Sequence, residues 1–289
     1  INEGSDLDLV SNIELSELDI KNQNLIREYL PKTKDILNLK NHKIKLNYKD
    51  NILSLKGSGK IKLDKEFNKV GYFFSTKNKR YNFETDLEIN DTTFKIDFIN
   101  YEKAKNLNSQ LNINGNYNKK SGINFKKISL LSKNNNLIVN DLIVDKNNKL
   151  MKVDKIDLDY FDNSNVKNKF VLKRSKNNNY ELKGSTLNAD TIITNLLESK
   201  DDQQLDIFRE SININLNFSE VYIDNDNIII NLNGKLRIVD NKLDQANIFA
   251  VFDNDNNFKF TINTKNGEKI TTLFSSRAKP LVKRYKFIK

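Results

Sequence analysis

Apolar and polar residues alternate along most of this chain. The clearest stretches are Ile212-Asn-Ile214-Asn-Leu216-Asn-Phe218, Ile228-Ile-Ile230-Asn-Leu232, Leu236-Arg-Ile238 and Phe258-Lys-Phe260-Thr-Ile262. A two-residue period gives a strand one apolar and one wetted face. Clusters of Asn, Asp, Lys and Gly separate the strands, as turns require. The pattern predicts a mainly β fold: a long antiparallel meander forming a curled, twisted open sheet, with two short helices.

The first helix is expected near 22–30, where Leu25, Ile26, Tyr29 and Leu30 form one stripe and Pro31 stops it. Strands follow every 8–14 residues from His42 to Tyr160. Thr93–Tyr101 reads as one of them. Asp50-Asn51 and Gly57-Ser58 read as tight turns between strands. A second helix is expected near 190–198, capped by Asn188 or Asp190, with Ile192, Ile193, Leu196 and Leu197 on the face that docks on the sheet. These breaks suggest two domains, 1–165 and 166–289. At Ser219-Glu220 the alternation slips, because Phe218 and Val221 share a face only across a bulge or turn.

With 289 residues there is enough chain for a sizeable core. The nine Gly and two Pro are too few for so many turns, so Asn takes over the left-handed positions. A net charge of +10 raises the question of nucleic acid. The excess is mostly Lys and evenly spread, and the chain is rich in Asn, Ile, Phe and Tyr, as AT-rich codons would give. No nucleic-acid module is present, so no nucleic-acid partner is expected. There is no Cys, hence neither a disulfide nor a thiolate metal site. No apolar run reaches the ~18 residues of a spanning helix. The chain starts at Ile1 with Met151 its only Met, which suggests a piece of a longer protein whose membrane anchor lies outside it.

Little in the chain points to chemistry. His42 is the only histidine, beside Lys43 at a polar strand start, and reads as a surface residue without metal or triad partners. Asp157 and Asp159 share a strand face but alternate with Ile156, Leu158 and Tyr160, as a solvated face does. Asp224-Asn-Asp226 and Asp253-Asn-Asp255 begin like calcium loops, yet lack the Gly at the sixth and Glu at the twelfth place. No catalytic residue, metal ligand or cofactor is expected, and the chain reads as a non-enzyme.

The second half carries a resemblance. Phe170-Val-Leu-Lys-Arg174, then Tyr180-Glu-Leu-Lys-Gly184-Ser-Thr-Leu-Asn-Ala-Asp190, then the apolar Ile192–Leu197 segment, resembles the AsmA-like envelope proteins, particularly the YhdP-type branch of alphaproteobacteria. Gly267-Glu-Lys-Ile270-Thr-Thr-Leu-Phe-Ser-Ser276 and Leu281-Val-Lys-Arg-Tyr285 resemble the strand and short helix that follow in that family. Arg277 and Lys279 stand where Asp and Gly are usual. The resemblance covers about residues 165–289. It implies an inner-membrane anchor, a periplasmic location in a bacterial envelope, and kinship with bridge-like lipid-transfer proteins that carry phospholipid toward the outer membrane. No catalytic residue carries over.

Residues and resemblance together suggest an apolar β-trough shielding phospholipid acyl chains. Its lining is expected to be Ile212, Ile214, Leu216, Phe218, Ile228, Ile230, Leu232, Leu236, Ile238, Phe258, Phe260 and Ile262. One alternative is a structural or adhesin-like β-sandwich without a ligand, its apolar face buried as core. Another, an outer-membrane barrel, conflicts with the absence of Trp and the frequency of Lys and Asp in the strands.

Overall fold

Long strands with steady alternation need somewhere to reset it, and left-handed Asn and Asp residues inside three of them do so. The computed structural model describes residues 7–22, 24–147, 149–176, 178–193, 211–224, 226–240, 242–253, 256–265 and 268–277. The chain divides into two compact units, Ile1–Asn148 and Lys149–Lys289. The turn at 162–166 joins two paired strands, both in the second unit.

In the first unit, β1 (Leu9–Lys21) leads to a short helix, α1 (Asn24–Tyr29), which ends before Pro31. Four more strands and a small two-stranded insertion follow: β2 (Ile36–Lys49), β3 (Ile52–Lys62), β4 (Phe67–Lys77) and β5 (Arg80–Glu88), then β6 (Phe94–Ile96) and β7 (Tyr101–Lys103). Then come β8 (Ser109–Asn118), β9 (Gly122–Ser132) and β10 (Asn136–Val144). The order β1-β2-β3-β4-β5-β8-β9-β10 follows the sequence, all antiparallel. Asp50 and Asn51 have φ of 48° and 59°, and Asn78 and Lys79 have 50° and 62°. Two consecutive left-handed residues make the hairpin turn whose twist matches the strands.

Two expectations fail here for clear reasons. Thr93–Tyr101 is not one strand. A 3₁₀ turn at Asp97–Ile99 and left-handed Asn100 (φ 52°) fold it into the β6–β7 hairpin, which pairs only with itself. Tyr29 of α1 stacks on Phe94 of this hairpin, ring centroids 6.1 Å apart. Gly57-Ser58 is no turn either, but lies in mid-β3. A Cβ at Gly57 would fall 2.5 Å from the Tyr72 ring, and one at Gly59 2.3 Å from the His42 ring, so the glycines make room for side chains of neighbouring strands.

The second unit holds β11 (Leu150–Phe161), β12 (Lys167–Arg174), β13 (Asn179–Asn188), β14 (Ile212–Tyr222), β15 (Ile228–Val239), β16 (Lys242–Asp253), β17 (Asn256–Lys265) and β18 (Glu268–Ser275). They lie in sequence order in one open sheet, β11 and β18 unpaired with each other. All neighbours are antiparallel except β13 and β14, which run parallel. A parallel pair requires a long connection, and twenty-odd residues separate the two strands in sequence, the described part opening with a helical turn at Asp190.

The expected slip at Ser219 is a bulge shared by three strands. Register shifts occur between β12 and β13 at Lys169/Phe170 and between β15 and β16 at Ile230/Asn233, whereas β13, β14 and β15 stay in step. Ser185, Ser219 and Asn231 therefore stand side by side as the extra residues, and Asn231 takes φ 54°. Asn41 of β2 (φ 55°) lies at the β2–β3 shift, opposite Ser16 of β1. Asp141 of β10 (φ 49°) stands opposite Lys126 of β9, at the β8–β9 shift. In each case the apolar spacing changes from two to three and the apolar side chains stay on the same face. Such bulges also increase local twist.

Replacing Asn231 by Gly should leave stability nearly unchanged. Replacing it by Val should cost about 1–2 kcal/mol, since a β-branched residue resists a left-handed backbone. Urea unfolding of the two variants measures the difference.

Candidate functional site

Cross-strand partners share a face, so the registers trace rows of side chains across each sheet. In the second unit one row runs Ile156–Leu172–Leu182–Leu216–Gly234–Ile248–Phe260–Leu273, through all eight strands. At a spacing of ~4.8 Å per strand, it extends ~34 Å along the sheet. Beside it lie the rows Leu158–Phe170–Gly184–Phe218–Leu232 and Tyr180–Ile214–Leu236–Ala246–Ile262. Phe170 and Phe218 meet edge to face at 6.1 Å across Gly184.

All eight strands of this unit belong to one sheet, so among the described residues no second sheet faces this surface. Burial along it is uneven. Phe218 and Ile229 are 2 % exposed, and Val221 and Ile223 3 %. Ile214, Leu216, Leu236, Ile248, Phe258 and Phe260 are only half-buried. One end is therefore packed core, and the middle is an apolar surface partly open to water.

None of the twelve residues expected to line a groove is exposed. Ile212, Phe218, Leu232 and Ile262 are buried and the others half-buried. They do not all share a face. Ile228 stands opposite Tyr222 and Ile230 opposite Glu220, on the far side from Leu232. The extra residue Asn231 is the cause: crossing it puts Ile229, opposite Val221, on the face of Leu232. The three-residue spacings Phe218–Val221 and Ile229–Leu232 carry that information in the sequence. The alternating Ile228 and Ile230 conceal it.

Of the expected docking helix, Ile192 and Ile193 are half-buried, and the Ile193 backbone N–H donates to the Ala189 carbonyl at 2.8 Å. The Asn188 side chain accepts from the Asp190 N–H at 3.1 Å, capping this first turn. Leu196 and Leu197 lie outside the described residues.

The first unit repeats the arrangement. Its row Leu46–Leu55–Phe74–Phe83–Gly115–Phe125–Leu142 crosses seven strands with half-buried apolar side chains, interrupted by the glycine. Phe74 and Tyr81 stack at 5.8 Å, and Phe83 meets Phe125 edge-on at 5.9 Å. His42 belongs to this face and is 1 % exposed, not the surface residue its polar neighbours imply. The Asn41 bulge turns it inward. Nε2 donates to the Lys60 carbonyl (3.0 Å) and Nδ1 hydrogen-bonds with the Tyr72 hydroxyl (3.0 Å), so both ring nitrogens have partners.

Two buried polar clusters were not foreseen. The Lys103 ammonium is fully enclosed and donates to the carbonyls of Asn90, Thr92 and Ala104, each at 2.9 Å. Burial pulls its pKa down to about 8, against the opposing pull of Asp91. All three donors are committed to carbonyls, so it pins the β6–β7 insertion and offers nothing to a substrate. The Asp162 carboxylate accepts from the Ser164 and Val166 N–H groups and from the side chains of Asn168 and Asn188, at 2.7–3.1 Å. It ties the β11–β12 turn to the end of β13. Among the described residues, no three His, Asp or Glu side chains come together as a metal site, and no helix is long and apolar enough to cross a membrane.

Comparisons with protein-family models, with curated proteins and with solved structures find no match. The fold and this surface therefore define the class directly: a mainly β, open sheet that is antiparallel except at β13–β14, with an apolar face half-buried in its middle.

Phe218→Ala should cost about 3–5 kcal/mol, as a fully packed aromatic does, and Leu216→Ala clearly less because its side is open. Chemical denaturation of both variants compares them. The Lys103 amine should titrate near pH 8 by NMR of its side chain. Between that value and the ordinary 10.5 the unfolded chain holds a proton that the folded one has released, so this group's contribution to stability rises with pH across the window.

Proposed function

We propose that the apolar sheet face shields phospholipid acyl chains during transport between the inner and outer membranes of a bacterial envelope, without catalysis. The observation carrying this reading is the half-buried row Ile156–Leu273, apolar in every strand that bears a side chain there and free of polar groups. A ligand with no directional partners suits such a surface. Each acyl CH₂ moved from water onto it gains up to ~0.8 kcal/mol, so a tail is held by length alone. The opposite face presents Asn213, Asn215 and Asn217 to water. The resemblance of residues 165–289 to AsmA-like proteins supports the same reading, together with an anchor outside this chain and a periplasmic location. In the competing reading, a ligand-free structural sandwich, the same face would be closed core.

Leu216 separates the two, because it lies half-buried at the middle of the long row. A carboxylate there stays hydrated on an open surface and is stranded in a closed core. Leu216→Asp should melt close to the parent and lose crosslinking to a phospholipid with a photoreactive acyl chain. A folded variant that crosslinks undiminished would refute transport over this face, and one that unfolds outright would favour the sandwich.

A further inference from the structure

The wetted face of the first unit is not evenly charged. In the β2–β3–β4 ladder Lys45 stands directly opposite Lys56, and Lys40, Lys60 and Lys69 form a continuous row. Like charges directly opposite one another destabilise a sheet. Five of these groups are exposed, and Lys62 and Lys40 both hang over the Phe67 ring, at 5.6 and 5.7 Å.

Acids border this patch on both sides, Glu14, Glu17 and Asp19 on β1 and Glu84, Asp86 and Glu88 on β5, but among the described residues only Glu88 reaches one of its lysines, Lys69, at 3.4 Å. Glu17 faces Lys40 in register, but its carboxylate accepts from Asn38 at 2.6 Å, as does that of Asp19 at 2.9 Å. Among the described residues Lys40, Lys45, Lys56, Lys60 and Lys62 take part in no ion pair. Lysines elsewhere do find acids: Lys49 pairs with Asp8, Lys95 with Asp97 and Lys105 with Asp64 in this unit, and Lys152 with Asp154, Lys155 with Asp157 and Lys183 with Glu181 in the second.

We infer that the outer face of β2–β4 is a docking surface for the anionic headgroups of a lipid bilayer. The site is a broad array of flexible ammonium groups on a sheet face, without a groove and without the bidentate Arg forks that read one phosphate at a time. A planar anionic surface complements such an array and relieves the Lys–Lys repulsion. A bilayer rich in anionic lipid is that surface, and its attraction falls with salt. This face lies opposite the apolar rows, and the inference does not depend on what those rows hold.

The test is co-sedimentation with vesicles of phosphatidylcholine alone and with a third phosphatidylglycerol. The parent should bind the anionic vesicles at least tenfold more tightly than the neutral ones, and lose that preference at high salt. Lys56→Glu with Lys60→Glu should abolish the preference while melting no lower than the parent, because the first change places an acid opposite Lys45 and the second one between Lys40 and Lys69. Lys119→Glu with Lys120→Glu, the same charge change in the exposed β8–β9 turn, should keep it. Equal loss in both double variants would reduce the effect to net charge and overturn the assignment, as would a preference that survives in the β3 variant. Retention on duplex DNA with no preference among vesicles would replace it with a polyanion site.

Discussion

One-sidedness is the constraint on which this structure depends. A sheet of long strands with no opposing sheet among the described residues of its unit keeps its apolar side chains together only if every strand stays in phase with its neighbours. Steady alternation cannot hold that phase while the sheet also twists. The inserted residues do both: Asn41, Asp141 and Asn231 adopt left-handed angles in mid-strand, and the strands beside them insert a residue at the same level. Between register shifts the rows run on unbroken. Asn and Asp serve because they tolerate φ above zero while keeping a polar side chain for the wetted face.

Energetics follow from that geometry. Where the rows close on one another, around Phe218, Val221 and Ile229, the chain has ordinary core. Where they stay open, around Leu216 and Phe260, the apolar surface contributes less to folding and remains free for a partner. Polar groups buried near the sheet ends are fully committed. Asp162 binds two backbone amides and two Asn side chains, and Lys103 binds three carbonyls. These groups fasten the turns and the insertion, leaving the apolar rows without directional chemistry.

Much of the fold was legible in the sequence, since a two-residue period is a direct image of a sheet face. Strand positions, the primed turn at Asp50-Asn51, the Asn188 cap and the break at Ser219 could all be read from local residue types. What could not be read was long-range. Gly57 and Gly59 look like turn residues until Tyr72 and His42 from adjacent strands claim the space above them. Ile228 and Ile230 look like partners of Leu232 until the left-handed Asn231 intervenes. His42 looks exposed because its chain neighbours are polar, although the Asn41 bulge turns it inward. The parallel β13–β14 pair depends on where the chain returns after residues 189–211, which no periodicity encodes. The lysine ladder is equally silent, because Lys45 and Lys56 become neighbours only through the β2–β3 register.

The account rests on the apolar face being an occupied surface rather than a closed core. The most direct measurement is mass spectrometry of solvent extracts from the purified, folded protein after detergent-free isolation. The account predicts phospholipid released in at least equimolar amount, and much less from Leu216→Asp. Folded parent protein that yields no lipid, and takes up none from vesicles, would contradict it.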